Sequence, residues 1–198
     1  GIYVGWGSMA AYEYTIKIAD KLVAPVSTTL QGKSAFPGNH PFSTGVAFGG
    51  TGKPAAQNAF ANCDALLAVG VRFSEIGTGS YGIQEPENLI HIDINEEVFD
   101  KKYKAKLAIH ADALDALSAL YNELEARNYR APRSGASLSE KIKKDEEQYL
   151  SGWLKDKKND RVSPGHFFKG LRQKVEEDVI MVVDDGKHTF LAAELFPV

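Results

Sequence analysis

Short apolar runs alternate with amphipathic or glycine-rich segments along the first two thirds of the chain. The apolar runs have the length and β-branched content of buried strands, and they occupy residues 2–4, 25–29, 65–69, 89–94 and 107–109. Apolar positions at helical spacing predict helices from Met9 to Val23, over residues 53–63 and after Asp112. Strands that alternate with helices predict an α/β, three-layer, Rossmann-like domain with a parallel sheet.

The pattern changes in the last third of the chain. Residues 128–137 are rich in Arg, Pro, Gly and Ser and predict a loop, and the polar, charge-balanced residues 139–160 predict a solvated helix or inter-domain linker. Ser163 followed by Pro164 predicts a helix start, and the apolar residues 179–183 predict one more strand. The chain thus divides into residues 1–127, 128–160 and 161–198.

Residues 30–50 contain seven glycines or prolines among polar residues, and they predict an ordered loop without a regular element. Both ends of the chain interrupt predicted elements, so we expect a fragment of a longer polypeptide.

Composition limits the classes of binding partner and the cellular compartments that we expect for the chain. A net charge of -3 and a pI near 6.0 give no broad positive field, which disfavours nucleic acid and anionic membranes as partners. Cys63 is the only cysteine, so no internal disulfide can form, which fits a reducing compartment. No apolar run approaches the roughly 20 residues of a membrane span, and no signal peptide is recognisable. We therefore expect a soluble, cytoplasmic protein.

The turns after the first two strands carry groups that could bind a nucleotide. The loops after parallel strands share one edge of a sheet, where ligands bind. Gly5, Trp6 and Gly7 stand at the first strand-to-helix turn, where glycine lets backbone N–H groups approach a phosphate; a simple tight turn is the alternative. The second strand is followed by Thr29, Leu30 and Gln31. Their hydroxyl, backbone and amide groups could bind ribose or adenine, or could instead only form the hydrogen bonds within their own turn.

Two further turns offer an anion site. Gly49 and Gly50 precede a helix and could form a phosphate-sized nest of backbone N–H groups. Arg72 follows a buried strand, where a guanidinium could pair with a pyrophosphate, and a salt bridge to Glu75 is the alternative.

Acidic residues end two of the later strands. Asp93, followed by Ile94, is placed to accept hydrogen bonds from ribose hydroxyls, and we favour that role over helix capping. Asp112, followed by Ala113, is an obvious helix N-cap that could also reach a base. His40 precedes Pro41 and has no second histidine or carboxylate at a metal-binding spacing, so we assign it to loop ordering.

Four segments together resemble the central domain of thiamine diphosphate (ThDP)-dependent enzymes of the acetolactate synthase type, a DHS-like NAD/FAD-binding fold. These segments read "GIYVGWGSMAA", "PVSTTLQGKSAFPGNHP", "GVRFSEIGTG" and "LIHIDIN". The resemblance implies that the first glycine turn lies beside the ADP part of a bound FAD, and that Asp112 in "IHADA" reaches adenine. The tail "VVDDGKHTFLAAELF" resembles the start of the diphosphate-binding domain, which implies that Gly186, Lys187 and His188 face the ThDP diphosphate.

The chain departs from the family pattern at two places. Gly50 stands where relatives commonly carry methionine or another side chain, and Thr51 stands where they carry histidine. Ser74, Glu75 and Ile76 stand where acetolactate synthases usually have Asp-Asp-Arg.

The resemblance implies the activity of a parent enzyme. Such an enzyme uses ThDP and Mg²⁺ to decarboxylate a 2-keto acid such as pyruvate and transfers the two-carbon unit to an acceptor, as in branched-chain amino acid biosynthesis. It also implies a homodimer or homotetramer. The chain lacks the family's activating glutamate and its Mg²⁺-binding Gly-Asp-Gly motif, so we expect no catalytic residue, no metal ligand and no activity from the chain alone. The alternative is a non-catalytic FAD- or ADP-binding domain, or a purely structural one, of another ThDP-dependent 2-keto acid decarboxylase or lyase.

Overall fold

A computed structural model describes residues 1–84, 87–155 and 161–196. Within these residues, all strands form one parallel sheet with the order β3-β2-β1-β4-β5-β6. The strands are β1 (Ile2–Val4), β2 (Val26–Thr28), β3 (Ser43–Val46), β4 (Leu66–Val69), β5 (Leu89–Asp93) and β6 (Leu107–His110). The α-helices are α1 (Tyr12–Leu22), α2 (Pro54–Phe60), α3 (Ala113–Ala126), α4 (Gly135–Lys155), α5 (Pro164–Arg172) and α6 (Lys187–Leu195).

The sheet is parallel, as the sequence predicted, and its strand order makes it doubly wound. Strand order runs outward from β1 in both directions, so the chain reverses direction across the sheet between β1 and β4. Ligands of open parallel sheets bind at such a reversal, outside the carboxyl ends of the strands.

Alternate side chains of each strand build two separate cores. Ile2 and Val4 of β1 face α1 and α3, together with Leu67 and Val69 of β4. Tyr3, between them, faces the opposite side, where α2 and the loops after β4 and β5 pack. Strands buried on both faces need apolar residues at every position, which explains the continuous apolar runs.

Two predictions of strand content are wrong. The glycine-rich stretch, predicted as a loop, contains β3, which pairs with β2 through Val26↔Ser43 and Thr28↔Val46 with a shifted register. Residues 179–183 form no strand, and Ile180 and Val182 are 88% and 90% exposed. A strand forms only where a neighbour supplies a hydrogen-bond ladder; β2 supplies one to β3, and no described strand pairs with residues 179–183.

The helix boundaries also shift. The segment from Trp6 to Ala11 is a 3₁₀ helix, and the α-helix predicted from Met9 begins only at Tyr12. Helix α4 begins at Gly135, inside the predicted loop, and residues 156–160 of the predicted polar segment lie outside the described residues.

The polar helix α4 packs against the sheet domain. Glu146 of α4 forms an ion pair with Lys53 at 2.6 Å, and Asp145 accepts a hydrogen bond from the Asn58 amide at 2.9 Å. The Ser163 side chain accepts from the His166 N–H and caps α5, with Pro164 at its first turn, as predicted. No helix in the described ranges is both long and apolar enough to cross a membrane.

Candidate functional site

The register of the sheet aligns the predicted binding turns along one edge. Val4 pairs with Thr28 on one side and with Val69 on the other, and Val69 pairs with Ile92. The residues that follow this row therefore form the carboxyl edge, and they are Thr29, Gly5, Gly70 and Asp93. The structure brings the loops after four adjacent strands together, as the sequence predicted.

Glycines let the loops after β1 and β4 pack backbone against backbone. A methyl group on Gly5 would lie 2.9 Å from the carbonyl carbon of Gly70 and closer still to its oxygen, and one on Gly7 would lie 2.9 Å from the Gly70 Cα. Gly70 itself has a φ of +62°, which favours glycine. The Gly5 N–H donates to Val69 O at 2.9 Å and fixes this junction. These glycines thus have a packing role that is independent of any ligand.

Exposed and charged groups surround this junction. The Trp6 indole is 69% exposed, and Ile94, on the neighbouring loop, is 67% exposed. Arg72 is exposed and forms no salt bridge with Glu75 within the described part of the chain, so its guanidinium is free for an anion. Asp93 is only 8% exposed, and its Oδ1 accepts from the Asn95 N–H at 2.9 Å. Asp93 therefore orders its own loop, while Asn95 caps the following 3₁₀ turn.

Some polar groups of the loop after β2 form hydrogen bonds within the loop itself. Thr29 Oγ1 accepts from the Gly32 N–H at 2.9 Å, which is the turn-capping role left open by the sequence. Leu30 is half-buried and Gln31 is exposed. Thr28, which precedes them, is buried, and its hydroxyl has no hydrogen-bond partner among the described residues. A buried unpaired hydroxyl is costly.

Gly49 and Gly50 lie in a 3₁₀ turn, Gly49–Thr51, at the side of the sheet nearest β3. Thr51 of this turn contributes to a cavity of about 330 Å³, with Leu30 and Ile76 from other loops and Phe190 and Glu194 from α6. The cavity therefore joins the loops of the carboxyl edge to the last helix.

A buried charged cluster lies beside this cavity. Burial lowers the pKa of Lys33 to about 8, and its ammonium donates to the Ala193 carbonyl at 2.8 Å. Burial raises the pKa of Glu194, whose Oε1 has no partner among the described residues. Lys53 and Glu146 form the adjacent ion pair. Local sequence contains no signal for this cluster, because its members lie up to 161 residues apart in the chain.

The remaining predicted site residues stand at the starts of α3 and α6, and α3 packs against the Trp6–Ala11 helix that follows β1. Asp112 accepts from the Leu114 N–H at 2.8 Å and caps α3, and Ala113 is the buried first residue of that helix. Gly186 has a φ of +148° at the start of α6, where Lys187 and His188 are exposed.

Two histidines, His40 and His91, form hydrogen bonds that stabilise the fold. His40 Nδ1 accepts from the Phe42 N–H at 3.1 Å and its ring contacts Phe36, which confirms the predicted loop-ordering role. His91, which the sequence analysis did not single out, is buried on β5 with Nε2 at 2.8 Å from Val71 O. A carbonyl only accepts, so Nε2 is protonated, and burial lowers the pKa of His91.

The carboxyl edge fits a nucleotide better than it fits a metal. The exposed Arg72 guanidinium and the Asp93 carboxylate are the kinds of donor and acceptor that a ribose diphosphate uses. Within the described ranges, no three His, Cys, Asp or Glu side chains cluster as a metal site requires. The residues that the family resemblance assigns to ThDP stand at the α6 N-terminus, where Gly186 is half-buried and Lys187 and His188 are exposed.

Comparison with known proteins gives matches along the whole chain. The family model described as "Thiamine pyrophosphate enzyme, central domain" matches residues 1–120. The probable acetolactate synthase large subunit of Methanocaldococcus jannaschii is 32% identical over 193 residues, which are 94% of this chain and 32% of that protein. The acetolactate synthase large subunit of Porphyra purpurea is 28% identical over 200 residues, covering 100% of this chain and 33% of that protein.

A relative with a different activity matches the first part of the chain. The 3D-(3,5/4)-trihydroxycyclohexane-1,2-dione hydrolase 2 of Bacillus cereus is 34% identical over 121 residues, which are 61% of this chain and 19% of that protein. The chain spans about a third of the length of the acetolactate synthases it matches. Fold, edge geometry and sequence similarity agree, and the chain belongs to the family of thiamine pyrophosphate enzyme central domains.

Proposed function

We propose that the chain is the nucleotide-binding central part of a longer ThDP- and Mg²⁺-dependent enzyme of the acetolactate synthase type. The parent enzyme decarboxylates a 2-keto acid such as pyruvate and transfers the two-carbon unit to an acceptor. The support is the match to acetolactate synthase large subunits over nearly the whole chain. ThDP, when bound, supplies the electron sink for the decarboxylation. Lys187 and the Gly186 N–H are the groups of this chain that would contact its diphosphate.

The carboxyl edge carries the nucleotide part of the proposal. FAD or ADP bound there would place its pyrophosphate near the N–H groups at the start of the Trp6–Ala11 helix, and the exposed Arg72 on the loop after β4 would supply a positive charge. Asp93 would accept from a ribose hydroxyl with the oxygen that does not bind the Asn95 N–H. These residues bind and orient the nucleotide, and none of them performs bond making.

One observation argues against a purely structural domain. Filling of the crevice by a large neighbouring side chain, Trp6 or Phe73, would favour a purely structural domain. Trp6 is 69% exposed, and Phe73 is packed in the core against Tyr3 and Tyr103. Neither ring fills the edge, which supports a working nucleotide site.

Calorimetric titration of the chain with ADP and with FAD tests the nucleotide site. Arg72→Ala and Asp93→Asn each remove one charge from it, and we expect at least about tenfold weaker binding, because hydrogen bonds to charged groups contribute about 1.5–3 kcal/mol. Lys101→Ala is the matched control, since Lys101 is exposed and lies in the loop that leads into the amino end of β6. Absence of binding by either nucleotide, or equal binding by all variants, would contradict the site.

The activity of the parent enzyme needs a separate assay. The longer polypeptide, supplied with ThDP, Mg²⁺ and pyruvate, is expected to release CO₂ and form a coupled product. A second candidate is a ThDP enzyme with another reaction, which the similarity to the Bacillus cereus hydrolase favours. Pyruvate left intact by a polypeptide that binds ThDP would select that candidate.

A further inference from the structure

A buried histidine of β5 contacts the loop after β4, which carries Arg72. His91 is the third residue of β5, and only 1% of its surface is exposed. Its partners on the neighbouring strands, Ala68 of β4 and Ala108 of β6, have small side chains, which leaves room for the imidazole ring. Strands buried on both faces are normally apolar throughout, so the imidazole is an exceptional polar group in this core.

The imidazole holds one particular carbonyl of the loop. Its Nε2–H donates to Val71 O at 2.8 Å, and this carbonyl belongs to the peptide that joins Val71 to Arg72. No backbone N–H of the described residues donates to the same carbonyl. The orientation of the Val71–Arg72 peptide therefore depends on His91.

The same ring also packs against the residue that follows Arg72. The ring centroids of His91 and Phe73 are 5.2 Å apart, in an edge-to-face arrangement. Phe73 has a φ of +48°, a left-handed conformation that is uncommon for an aromatic residue and persists only where the surroundings maintain it. Phe99 contacts the imidazole as well, with centroids 5.0 Å apart. His91 thus contacts the residues immediately before and after Arg72.

The side chain of Arg72 has no contact of its own that sets its direction. It is exposed, and within the described part of the chain it forms neither a salt bridge nor a hydrogen bond. The dihedral angle φ of Arg72 determines the direction in which its side chain leaves the loop, and this angle changes when the Val71–Arg72 peptide rotates. A bond that fixes the Val71 carbonyl therefore also limits the positions that the guanidinium can reach.

We propose that His91 is a positioning residue for nucleotide binding, whose hydrogen bond to the Val71 carbonyl holds Arg72 where its guanidinium pairs with the pyrophosphate of the nucleotide. This inference rests on the proposed function, because it takes Arg72 as a group that binds the pyrophosphate. His91 is buried in the core and does not contact the nucleotide. A loop that is ordered before the ligand arrives loses less conformational freedom on binding, which strengthens binding.

Two variants of His91 separate the hydrogen bond from the packing of the ring. His91→Phe keeps an aromatic ring and removes the donor, whereas His91→Gln keeps an N–H donor at a similar reach. In calorimetric titration of the chain with ADP, we expect His91→Phe to bind about three- to tenfold more weakly than wild type, which corresponds to the loss of one hydrogen bond. His91→Gln should bind within about twofold of wild type, because the donor remains.

Ile18→Val is the matched control for a general loss of stability. Ile18 is buried in the core on the opposite face of the sheet, so this variant loses a buried methyl group without touching the loop after β4. Its ADP binding should equal that of wild type. Equal losses in His91→Phe and His91→Gln would assign the effect to packing of the ring and would contradict the role of the hydrogen bond.

A double-mutant cycle with Arg72→Ala tests whether the effect of His91 passes through the guanidinium. When His91 acts by positioning Arg72, the protein with both His91→Phe and Arg72→Ala should bind ADP no more than about twofold more weakly than Arg72→Ala alone. Losses that multiply in the double variant would show that His91 acts independently of Arg72, and the positioning role would be wrong.

Trypsin cleavage after Arg72 reports on the same loop without a nucleotide. Without the hydrogen bond the loop should open more often, so His91→Phe should be cleaved there about threefold faster or more, with little change in Ile18→Val. Wild-type ADP binding in His91→Phe would overturn this inference and leave the nucleotide site intact. Absence of ADP and FAD binding by wild type would instead be a failure of the proposed function, and faster cleavage alone would then limit His91 to stabilising the loop.

Discussion

Substituting Gly5 by alanine tests whether the glycines at the sheet edge serve packing. Gly5 has φ -113° and ψ -173°, an extended conformation that alanine adopts freely, so the effect of the added methyl group is purely steric. That methyl would lie 2.9 Å from the Gly70 carbonyl carbon, whereas carbon atoms in contact are about 3.5–4.0 Å apart. The atoms it meets belong to backbone, so no side chain can rotate away.

The loops after β1 and β4 would have to separate by about 1 Å. That separation weakens the Gly5 N–H bond to Val69 O and the 2.7 Å bond from the Ser8 hydroxyl to Gly5 O. Overpacking costs about 1–3 kcal/mol, and each strained hydrogen bond costs about 1 kcal/mol more. We expect Gly5→Ala to lower the free energy of unfolding by about 3–5 kcal/mol.

Urea denaturation followed by circular dichroism measures this loss, and calorimetry should show a Tm lower by about 6–20 °C for a chain of this size. Gly50→Ala is the matched control, because a methyl group there meets nothing within 4 Å, and its effect should stay within about 1 kcal/mol. Gly5→Ala combined with Gly70→Ala should cost less than the sum of the two, since both separate the same loops. A Gly5→Ala protein as stable as the Gly50→Ala protein would refute the packing role.

Two further predictions concern a cap and a buried amine. Asp112→Ala should lower the free energy of unfolding by about 1 kcal/mol, because α3 loses its N-cap. Asp112→Ser keeps a capping side chain and should retain that stability. Weaker ADP binding by the serine variant would show that Asp112 also contacts the nucleotide. Lys33 has a folded-state pKa of about 8 and an ordinary value of 10.5, so the unfolded state binds more protons between these values and stability should rise with pH there. The free energy of unfolding of wild type relative to Lys33→Met, measured by urea denaturation at each pH, should therefore rise by about 1–2 kcal/mol from pH 7.5 to pH 9.5. No change would contradict the burial of the amine.

Local patterns predicted those elements whose signal lies within a few neighbouring residues. The continuous apolar runs located β1, β2, β4, β5 and β6 to within about two residues at each end, because a strand buried on both faces is apolar at every position. The glycines after β1 and β4 marked the edge where the loops meet, and Asp112 marked the start of α3. The parallel, doubly wound sheet followed from the alternation of these elements.

Pairing between distant segments decided what the local pattern missed. The polar segment of β3 is a strand because β2 lies beside it, and the apolar residues 179–183 are not one because no described strand pairs with them. The burial of Lys33 depends on α6, whose contacting residue Ala193 is 160 positions away. The unpaired hydroxyl of Thr28 likewise depends on which neighbours are present in three dimensions.

The amino-acid sequence by itself therefore determined the fold class, the family resemblance and the edge of the sheet at which the loops after the strands meet. Only the tertiary structure decided which polar groups at that edge are free and which glycines pack loops together. The physical reason is that periodicity and turn chemistry act between near neighbours in the chain. Burial and hydrogen-bond satisfaction depend instead on contacts between residues far apart in sequence.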